Sequence, residues 1–266
     1  MPNIDLHQLE LQVVDIAREV GNIIREKRES YQPVSIEEKS AHNLVTEVDK
    51  LAEKLLTEKL SKAFPGSGFL GEEGADISSE NGYRWIVDPI DGTTNFVHGL
   101  PLYSTSIALE KEGELVLGVV NHISMDRVFH TSLGRKSYCN GVEINTSSQK
   151  VVDTSLMVTG FPYHEKQLDQ FLDAYKYLIR NSRGVRRLGS AAIDLCLVAA
   201  GHFEAFYEVG LNPWDVAAGA LLVQNAGGKT STLAETDDYL HGKSIIASNN
   251  HIHRELLDIL HQFIEV

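Results

Sequence analysis

The segment WIVDPIDGTT, residues 85–94, leads an apolar run directly into two aspartates and a glycine. Residues 85–87 predict a buried strand, so Asp88 is expected where the chain leaves the core. Asp91 follows three residues later, and Gly92-Thr93-Thr94 favours the start of a helix. Backbone N–H groups at a helix N-terminus, next to a glycine that permits close approach, are suited to an anion. The segment is therefore expected to present carboxylates to a cation and amides to a phosphate group.

Further acids occur in three other places: Asp49, the pair Glu72-Glu73 between two glycines, and Asp215 after Asn212-Pro213-Trp214. Two carboxylates ~4 Å apart repel by about 4 kcal/mol at an effective dielectric near 20. A cluster of such acids therefore protonates, separates or binds a cation. Ligands that are all oxygen favour Mg²⁺ over Zn²⁺, and a pair of such ions can hold a phosphoryl group for in-line attack.

Each acid also has a purely structural interpretation. Asp49 and Asp215 both fit the first turn of a helix, where a carboxylate caps the backbone. Residues 72–73 fit a solvated loop, and residues 88–92 fit a plain turn. The metal hypothesis differs from these interpretations because it explains all four positions together.

Composition limits the classes of function. The chain has 266 residues, 42% hydrophobic and 23% charged, and a net charge of −13, which argues against nucleic acid or an anionic membrane as partner. Cys139 and Cys196 fit no zinc or disulfide spacing. No signal peptide or membrane span is visible in the sequence, so a cytoplasmic protein is expected. We expect one domain over 1–266, with approximate halves 1–150 and 151–266.

Periodicity predicts layered α and β elements. Helices are expected over residues 6–23, from 46 onward, and over 165–181, 190–200, 213–225 and 253–264. Short strands are expected between residues 85 and 160, at 202–209 and at 244–248. Residues 31–43 are expected to form a polar connector, and Asn140-Gly141 a hairpin turn.

Three segments resemble the inositol monophosphatase family of Mg²⁺-dependent, lithium-sensitive phosphatases. They are Glu72-Glu73, DPIDGTTNFVHGLP (residues 88–101) and NPWDVAAGALLVQNAGG (residues 212–228), in the family's order and spacing. The resemblance spans nearly the whole chain. It implies a layered αβαβα sandwich of the α/β class, shared with fructose-1,6-bisphosphatases, and a homodimer.

The resemblance also implies two or three Mg²⁺ ions in each active site. Glu72, Asp88 and the Ile90 carbonyl would hold the first ion. Asp88, Asp91 and Asp215 would hold the second, and Glu72 would help to hold a weaker third, with Glu73 further out.

Further roles follow from the same resemblance. Gly92, Thr93 and Thr94 would bind phosphate, and Thr93, hydrogen-bonded to Asp49, would help to orient and activate the attacking water. Glu72 is expected to be catalytic together with Thr93 and Asp49. A second water, near Asp215, would protonate the departing alkoxide. The positions implied for substrate hydroxyl groups are Gly189, Ser190, Ala191 and Glu208. Lys39 resembles a basic residue of the family, but the loop spacing differs and no role is assigned to it.

The sequence therefore predicts a Mg²⁺-dependent phosphomonoesterase for small polyol or sugar phosphates, with inositol-1-phosphate as the leading substrate. Histidinol phosphate, fructose-1,6-bisphosphate and nucleotide phosphates are alternative substrates within the superfamily. A catalytically idle protein that binds metal and phosphate to regulate a partner is an alternative of another class. A small-molecule substrate is the expected partner, with no nucleic acid and no membrane.

Overall fold

The computed structural model describes residues 4–30, 37–40, 43–45, 47–162 and 165–265, and within these ranges it has seven α-helices and fifteen strands. The helices are α1 (Leu6–Glu29), α2 (Glu47–Ala63), α3 (Thr93–His98), α4 (Glu165–Arg180), α5 (Ala191–Ala199), α6 (Pro213–Asn225) and α7 (His253–Leu260). The strands are β1 (Glu37–Ser40), β2 (Asn43–Val45), β3 (Gly68–Gly71), β4 (Asp76–Ile77), β5 (Tyr83–Asp91), β6 (Ser104–Lys111), β7 (Glu114–His122), β8 (Arg127–Ser132), β9 (Ser137–Cys139), β10 (Val142–Ile144), β11 (Leu156–Thr159), β12 (Gly184–Arg186), β13 (Ala205–Val209), β14 (Lys229–Ser231) and β15 (Ser244–Ser248).

Two large sheets organise these strands. The first has eight strands in the order β10-β9-β8-β7-β6-β5-β3-β4, and only β3 and β5 pair in parallel within it. The second has five strands in the order β12-β11-β13-β15-β14, with β11 parallel to both of its neighbours. Strands β1 and β2 form a separate two-stranded pair.

Alternation along the strands sends side chains into different helical layers, because successive residues of a strand face opposite sides of a sheet. Trp85 and Val87 of β5 pack with α1 and α2, whereas Ile86 between them packs with α5 and α6. In the second sheet, Phe206 of β13 faces α5 and α6, whereas Tyr207 faces α4 and α7. The layers therefore run helix, sheet, helix, sheet, helix, and the expected αβαβα architecture is confirmed.

Two glycines allow close packing around α6, one against the first sheet and one within the middle helical layer. A Cβ on Gly118 of β7 would lie 2.9 Å from the Ala218 carbonyl oxygen of α6. A Cβ on Gly219 of α6 would lie 2.5 Å from the Leu195 Cβ of α5. Helix α6 is thus held at a fixed depth between the first sheet and α5.

Most predicted elements are confirmed, including α6 over residues 213–225 and the hairpin turn at Asn140-Gly141, where both residues have positive φ. Two interpretations were wrong. Part of the expected connector forms strand, with β1 inside it and β2 starting at its last residue. The strand predicted over residues 85–87 does not end before Asp88, because β5 continues to Asp91 through an irregular pairing with β6. None of the described helices combines the length and apolar character that crossing a membrane requires. The cytoplasmic location stays a prediction.

Candidate active site

Four separate segments bring acids to one end of the first sheet. Asp88 and Asp91 lie in the irregular last part of β5, and both are buried. Asp49 is buried in the first turn of α2, Glu72 follows β3, and Asp215 lies in the first turn of α6. Strands β3 and β5 are adjacent and parallel, and Gly71 pairs with Val87, so Glu72 and Asp88 lie next to each other at the same end of the sheet.

Asp88 is at the centre of this group. Burial raises the pKa of Asp88 well above its ordinary value, and four neighbouring carboxylates raise it further: Glu72, Asp91, Asp215 and Asp49. Its Oδ1 atom is buried and has no hydrogen-bond partner among the described residues. A carboxylate in such surroundings is ionised only at a cost, which a bound cation would offset.

Asp91 is tied to the start of α5. Its Oδ2 accepts hydrogen bonds from the Ser190 hydroxyl at 2.5 Å and from the Ala192 N–H at 2.8 Å. Burial raises the pKa of Asp91 to about 6, and these two donors oppose the rise because they favour the ionised form. The Asp91 carboxylate in turn raises the pKa of Asp88.

Asp215 both caps α6 and lies among the acids of the site. Its Oδ2 accepts the Asn212 N–H at 2.7 Å and forms the predicted cap of α6. Burial raises the pKa of Asp215 to about 7; Asp91 adds to the rise, and the Asn212 amide and Lys243 oppose it. One carboxylate can cap a helix and still carry charge at the site.

A second pair of acids lies beside the first group. Burial raises the pKa of Glu208, on β13, to about 8, with contributions from Asp215 and Asp91. Asp194 of α5 is also buried with its pKa well raised, and Glu208 contributes to that rise. Sequence reasoning identified Glu208 but not Asp194, because an acid within the apolar run of α5 gives no local signal of a site.

The start of α3 provides backbone amides at the same end of the first sheet as the acids. Gly92 precedes α3 with φ of 90°, and a Cβ there would lie 2.8 Å from the Leu102 carbonyl oxygen. The Phe96 N–H donates to the Gly92 carbonyl at 3.0 Å, so the amides of Thr93, Thr94 and Asn95 precede the first helical hydrogen bond. The expected helix start at this position is confirmed.

The Thr93 hydroxyl donates to the Ile90 carbonyl at 3.0 Å. This bond joins two atoms to which the family resemblance gave different tasks, since Ile90 was expected to bind metal and Thr93 to orient water. A carbonyl oxygen has two lone pairs and can accept from Thr93 while facing a cation. The expected bond between Thr93 and Asp49 stays a prediction.

The loop of Gly189, Ser190 and Ala191 lies against this helix start. The Asn95 side-chain amide donates to the carbonyls of Leu102 at 2.7 Å, Leu188 at 2.8 Å and Gly189 at 3.3 Å. Sequence reasoning missed Asn95, although it lies within the segment TTNFVHGLP. Its partners are backbone atoms, two of them more than 90 residues away in the chain, and a sequence motif does not specify such partners.

A metal site was expected here, and the residues fit a hard cation. The donors are carboxylate oxygens, and Asp88 contributes a buried oxygen that no described residue satisfies. In the described part of the chain, however, no three His, Cys, Asp or Glu side chains are already arranged as a complete metal site. Asp91 and Asp215 each direct one oxygen to a protein donor instead. Their roles as metal ligands stay predictions.

Comparison with known proteins agrees with this architecture. The structure of an extragenic suppressor protein SuhB from Bartonella henselae superposes with a TM-score of 0.91 at 36% identity, covering 95% of this chain and 98% of that one. The chain is 40% identical over 250 residues to an inositol-1-monophosphatase of Caulobacter vibrioides, covering 92% of this chain and 94% of the other. It is also 40% identical over 247 residues to the Nus factor SuhB of Pseudomonas aeruginosa, covering 91% of each.

The layered αβαβα fold is one that this chain shares with solved inositol monophosphatases. The sequence pattern of the inositol monophosphatase family matches residues 5–265. The chain belongs to that family, and the resemblance noted in its sequence is confirmed.

Proposed function

We propose that this protein is a Mg²⁺-dependent phosphomonoesterase of small polyol or sugar phosphates, with inositol-1-phosphate as its leading substrate. The main support is Asp88, a buried carboxyl whose pKa is raised by acids from four separate segments. A chain that only needed helix caps and loops would not gather these acids around one buried oxygen. Family membership supports the same class of reaction.

Different residues of the site would bind metal and phosphate. Glu72, Asp88, Asp91, Asp215 and the Ile90 carbonyl would hold Mg²⁺, which when bound supplies positive charge that offsets the charge of the phosphoryl oxygens. The Ser190 hydroxyl and the Ala192 amide fix the direction of Asp91. The amides at Gly92, Thr93 and Thr94 would bind phosphate oxygens, as a helix start with a preceding glycine favours.

Thr93 and Asp49 would orient the attacking water. The Thr93 hydroxyl, which now donates to the Ile90 carbonyl, would turn to donate to the Asp49 carboxylate and to accept a hydrogen bond from the attacking water. These residues act by hydrogen bonding, and no covalent intermediate with the protein is required.

Glu208 would recognise a substrate hydroxyl group. Its carboxyl has a pKa of about 8, so it can donate a hydrogen bond when protonated and accept one when ionised. Gly189, Ser190 and Ala191 would line the same side of the pocket, held in place by Asn95. Lithium inhibition and a homodimer belong to the same proposal.

A substrate panel tests the proposal. Phosphate release is measured from inositol-1-phosphate, histidinol phosphate, fructose-1,6-bisphosphate and a nucleotide 2′- or 3′-phosphate, each with Mg²⁺ and with EDTA. We expect release that needs Mg²⁺ and is fastest with inositol-1-phosphate. Fastest release from another substrate would contradict the specific assignment, and release unaffected by EDTA would contradict the metal requirement.

A regulatory role is a second candidate, because relatives of equal identity carry the names inositol-1-monophosphatase and Nus factor SuhB. The expectation that nucleic acid is not a partner therefore stays a prediction. The two candidates differ in a measurable way. A purified protein that binds Mg²⁺ but releases phosphate from no member of the panel would favour the regulatory role.

A further inference from the structure

Glu53 of α2 is a buried carboxylate that contacts the loop carrying Glu72. Its Oε2 accepts the N–H of Glu73 at 2.8 Å, and its Oε1 accepts the N–H of Ala75 at 3.0 Å. Each oxygen therefore takes one amide on the C-terminal side of Glu72. The side chain is only 6% exposed, so these bonds form away from bulk solvent.

The loop is shaped to receive this carboxylate. A Cβ on Gly71 would lie 2.1 Å from Glu53 Oε2, so the backbone before Glu72 also lies directly against it. The Gly71 N–H donates to the Ala75 carbonyl at 2.7 Å and closes the loop. Glu53 thus contacts the chain on both sides of Glu72.

The same helix carries another residue of the site. Asp49 precedes Glu53 by four residues, so the two side chains lie on one face of α2, one turn apart. Asp49 faces the acids around Asp88, whereas Glu53 faces the loop. The helix therefore sets the position of Asp49 and of the Glu72 loop as one unit.

We propose that Glu53 is a positioning residue that fixes the Glu72 carboxylate in the direction needed to bind Mg²⁺. This inference rests on the proposed function, since it assumes that Glu72 binds the ion. Without the two bonds, the amides of Glu73 and Ala75 would lose their acceptors and the loop would sample other conformations. A ligand that is less well oriented binds its metal more weakly, and loss of such an outer partner typically lowers affinity by about 10- to 100-fold.

Two variants separate position from charge. Glu53→Gln keeps the size of the side chain but places an amide NH₂ against one of the two backbone N–H groups. Glu53→Asp keeps the negative charge but shortens the side chain by one methylene, so that it cannot reach both amides. Glu58→Gln is the matched control, because Glu58 lies on the same helix and is exposed.

Binding of Mg²⁺ alone is measured by calorimetry for the wild type and the three variants. Amide hydrogen exchange over residues 70–76 is measured in EDTA, and the unfolding temperature in EDTA reports on the overall fold. We expect both Glu53 variants to bind Mg²⁺ about 10-fold or more weakly and to exchange faster at Glu73 and Ala75. Glu58→Gln should match the wild type, and excess Mg²⁺ should restore turnover in both Glu53 variants.

The outcomes distinguish the two proposals. Wild-type Mg²⁺ affinity in both Glu53 variants would overturn the role of Glu53 and leave the proposed function intact. Weaker Mg²⁺ binding with unchanged amide exchange in the loop would show that positioning is not the cause. Wild-type Mg²⁺ affinity in Glu53→Asp together with weakened affinity in Glu53→Gln would lead to the same conclusion. If Glu53→Gln does not fold, Glu53→Asp decides alone. A wild type that binds no Mg²⁺ overturns the metal requirement itself, and the role of Glu53 falls with it.

Discussion

Replacing Asp215 by asparagine is expected to stabilise the protein without metal and to remove the stabilisation that Mg²⁺ provides. Burial and Asp91 raise the pKa of Asp215 to about 7 in the folded chain, against an ordinary value of 3.8. The folded protein therefore retains a proton that the unfolded chain has lost. Stability falls as pH rises between these two values, and the loss is complete above pH 7. Asparagine does not titrate and avoids this loss.

The magnitude follows from the size of the shift. A difference of about 3 pKa units corresponds to about 4 kcal/mol of unfolding free energy at pH 8. Because Asp91 and Glu208 take up protons more readily while Asp215 is ionised, we expect about half of this, ~2 kcal/mol, to be recovered in Asp215→Asn. The cap of α6 is retained, since an asparagine oxygen can still accept the Asn212 N–H.

Urea unfolding followed by circular dichroism provides the measurement. In EDTA, Asp215→Asn should exceed the wild type by about 2 kcal/mol at pH 8 and by less at pH 5. Mg²⁺ at about 100 times its dissociation constant should stabilise the wild type by ~2.7 kcal/mol and the variant far less. Asp237→Asn, at an exposed loop position, is the control. A variant that is less stable than the wild type in EDTA at pH 8, or equal stabilisation of both by Mg²⁺, would refute the reasoning.

Three further substitutions probe other parts of the site. Asp91→Asn should unfold at or slightly above the wild-type temperature without metal, because it replaces a buried carboxyl whose pKa is raised to about 6 and removes no core volume. It should lose at least about 100-fold in kcat/KM, because it weakens a proposed ligand of Mg²⁺; full turnover at limiting Mg²⁺ would exclude that ligand role. Gly92→Ala should lower the unfolding free energy by about 1–2 kcal/mol, since φ of Gly92 is 90° and the new Cβ would meet the Leu102 carbonyl oxygen. It should also weaken inhibition by phosphate. An unchanged free energy of unfolding in urea would contradict the backbone strain. Glu208→Gln should raise KM for inositol-1-phosphate with Mg²⁺ affinity unchanged, and an unaltered KM would remove Glu208 from substrate recognition.

The sequence predicted those elements whose pattern is local. Helix α1 shows apolar residues at three- and four-residue steps, and α6 begins with the capping signal of Asn212 and ends before two glycines. Six short strands were missed: β1, β2, β3, β4, β12 and β14. They have two to four residues each and depend on pairing with neighbouring strands. Such short segments have too little pattern of their own to be distinguished from loops.

Some residues of the candidate site could be predicted from the sequence and others could not. The acids and the glycine before α3 belong to motifs that can be read in the sequence, so their positions could be named in advance. Glu53 and Asn95 could not, because each binds backbone atoms of a segment far away in the chain. Any residue type can supply a backbone amide or carbonyl, so the sequence does not identify such partners.

Because Gly118 and Gly219 make close contacts with their neighbours, the packing of the core determines where a residue of the candidate site lies. Asp215 lies in the first turn of α6, so a methyl group added at either glycine would shift this helix and carry the acid away from Asp88. Screens for inactive variants should therefore recover substitutions at both glycines, remote from any substrate, among proteins that still fold. Under the proposed function, small changes in the packing of this core would weaken Mg²⁺ binding before they unfold the protein.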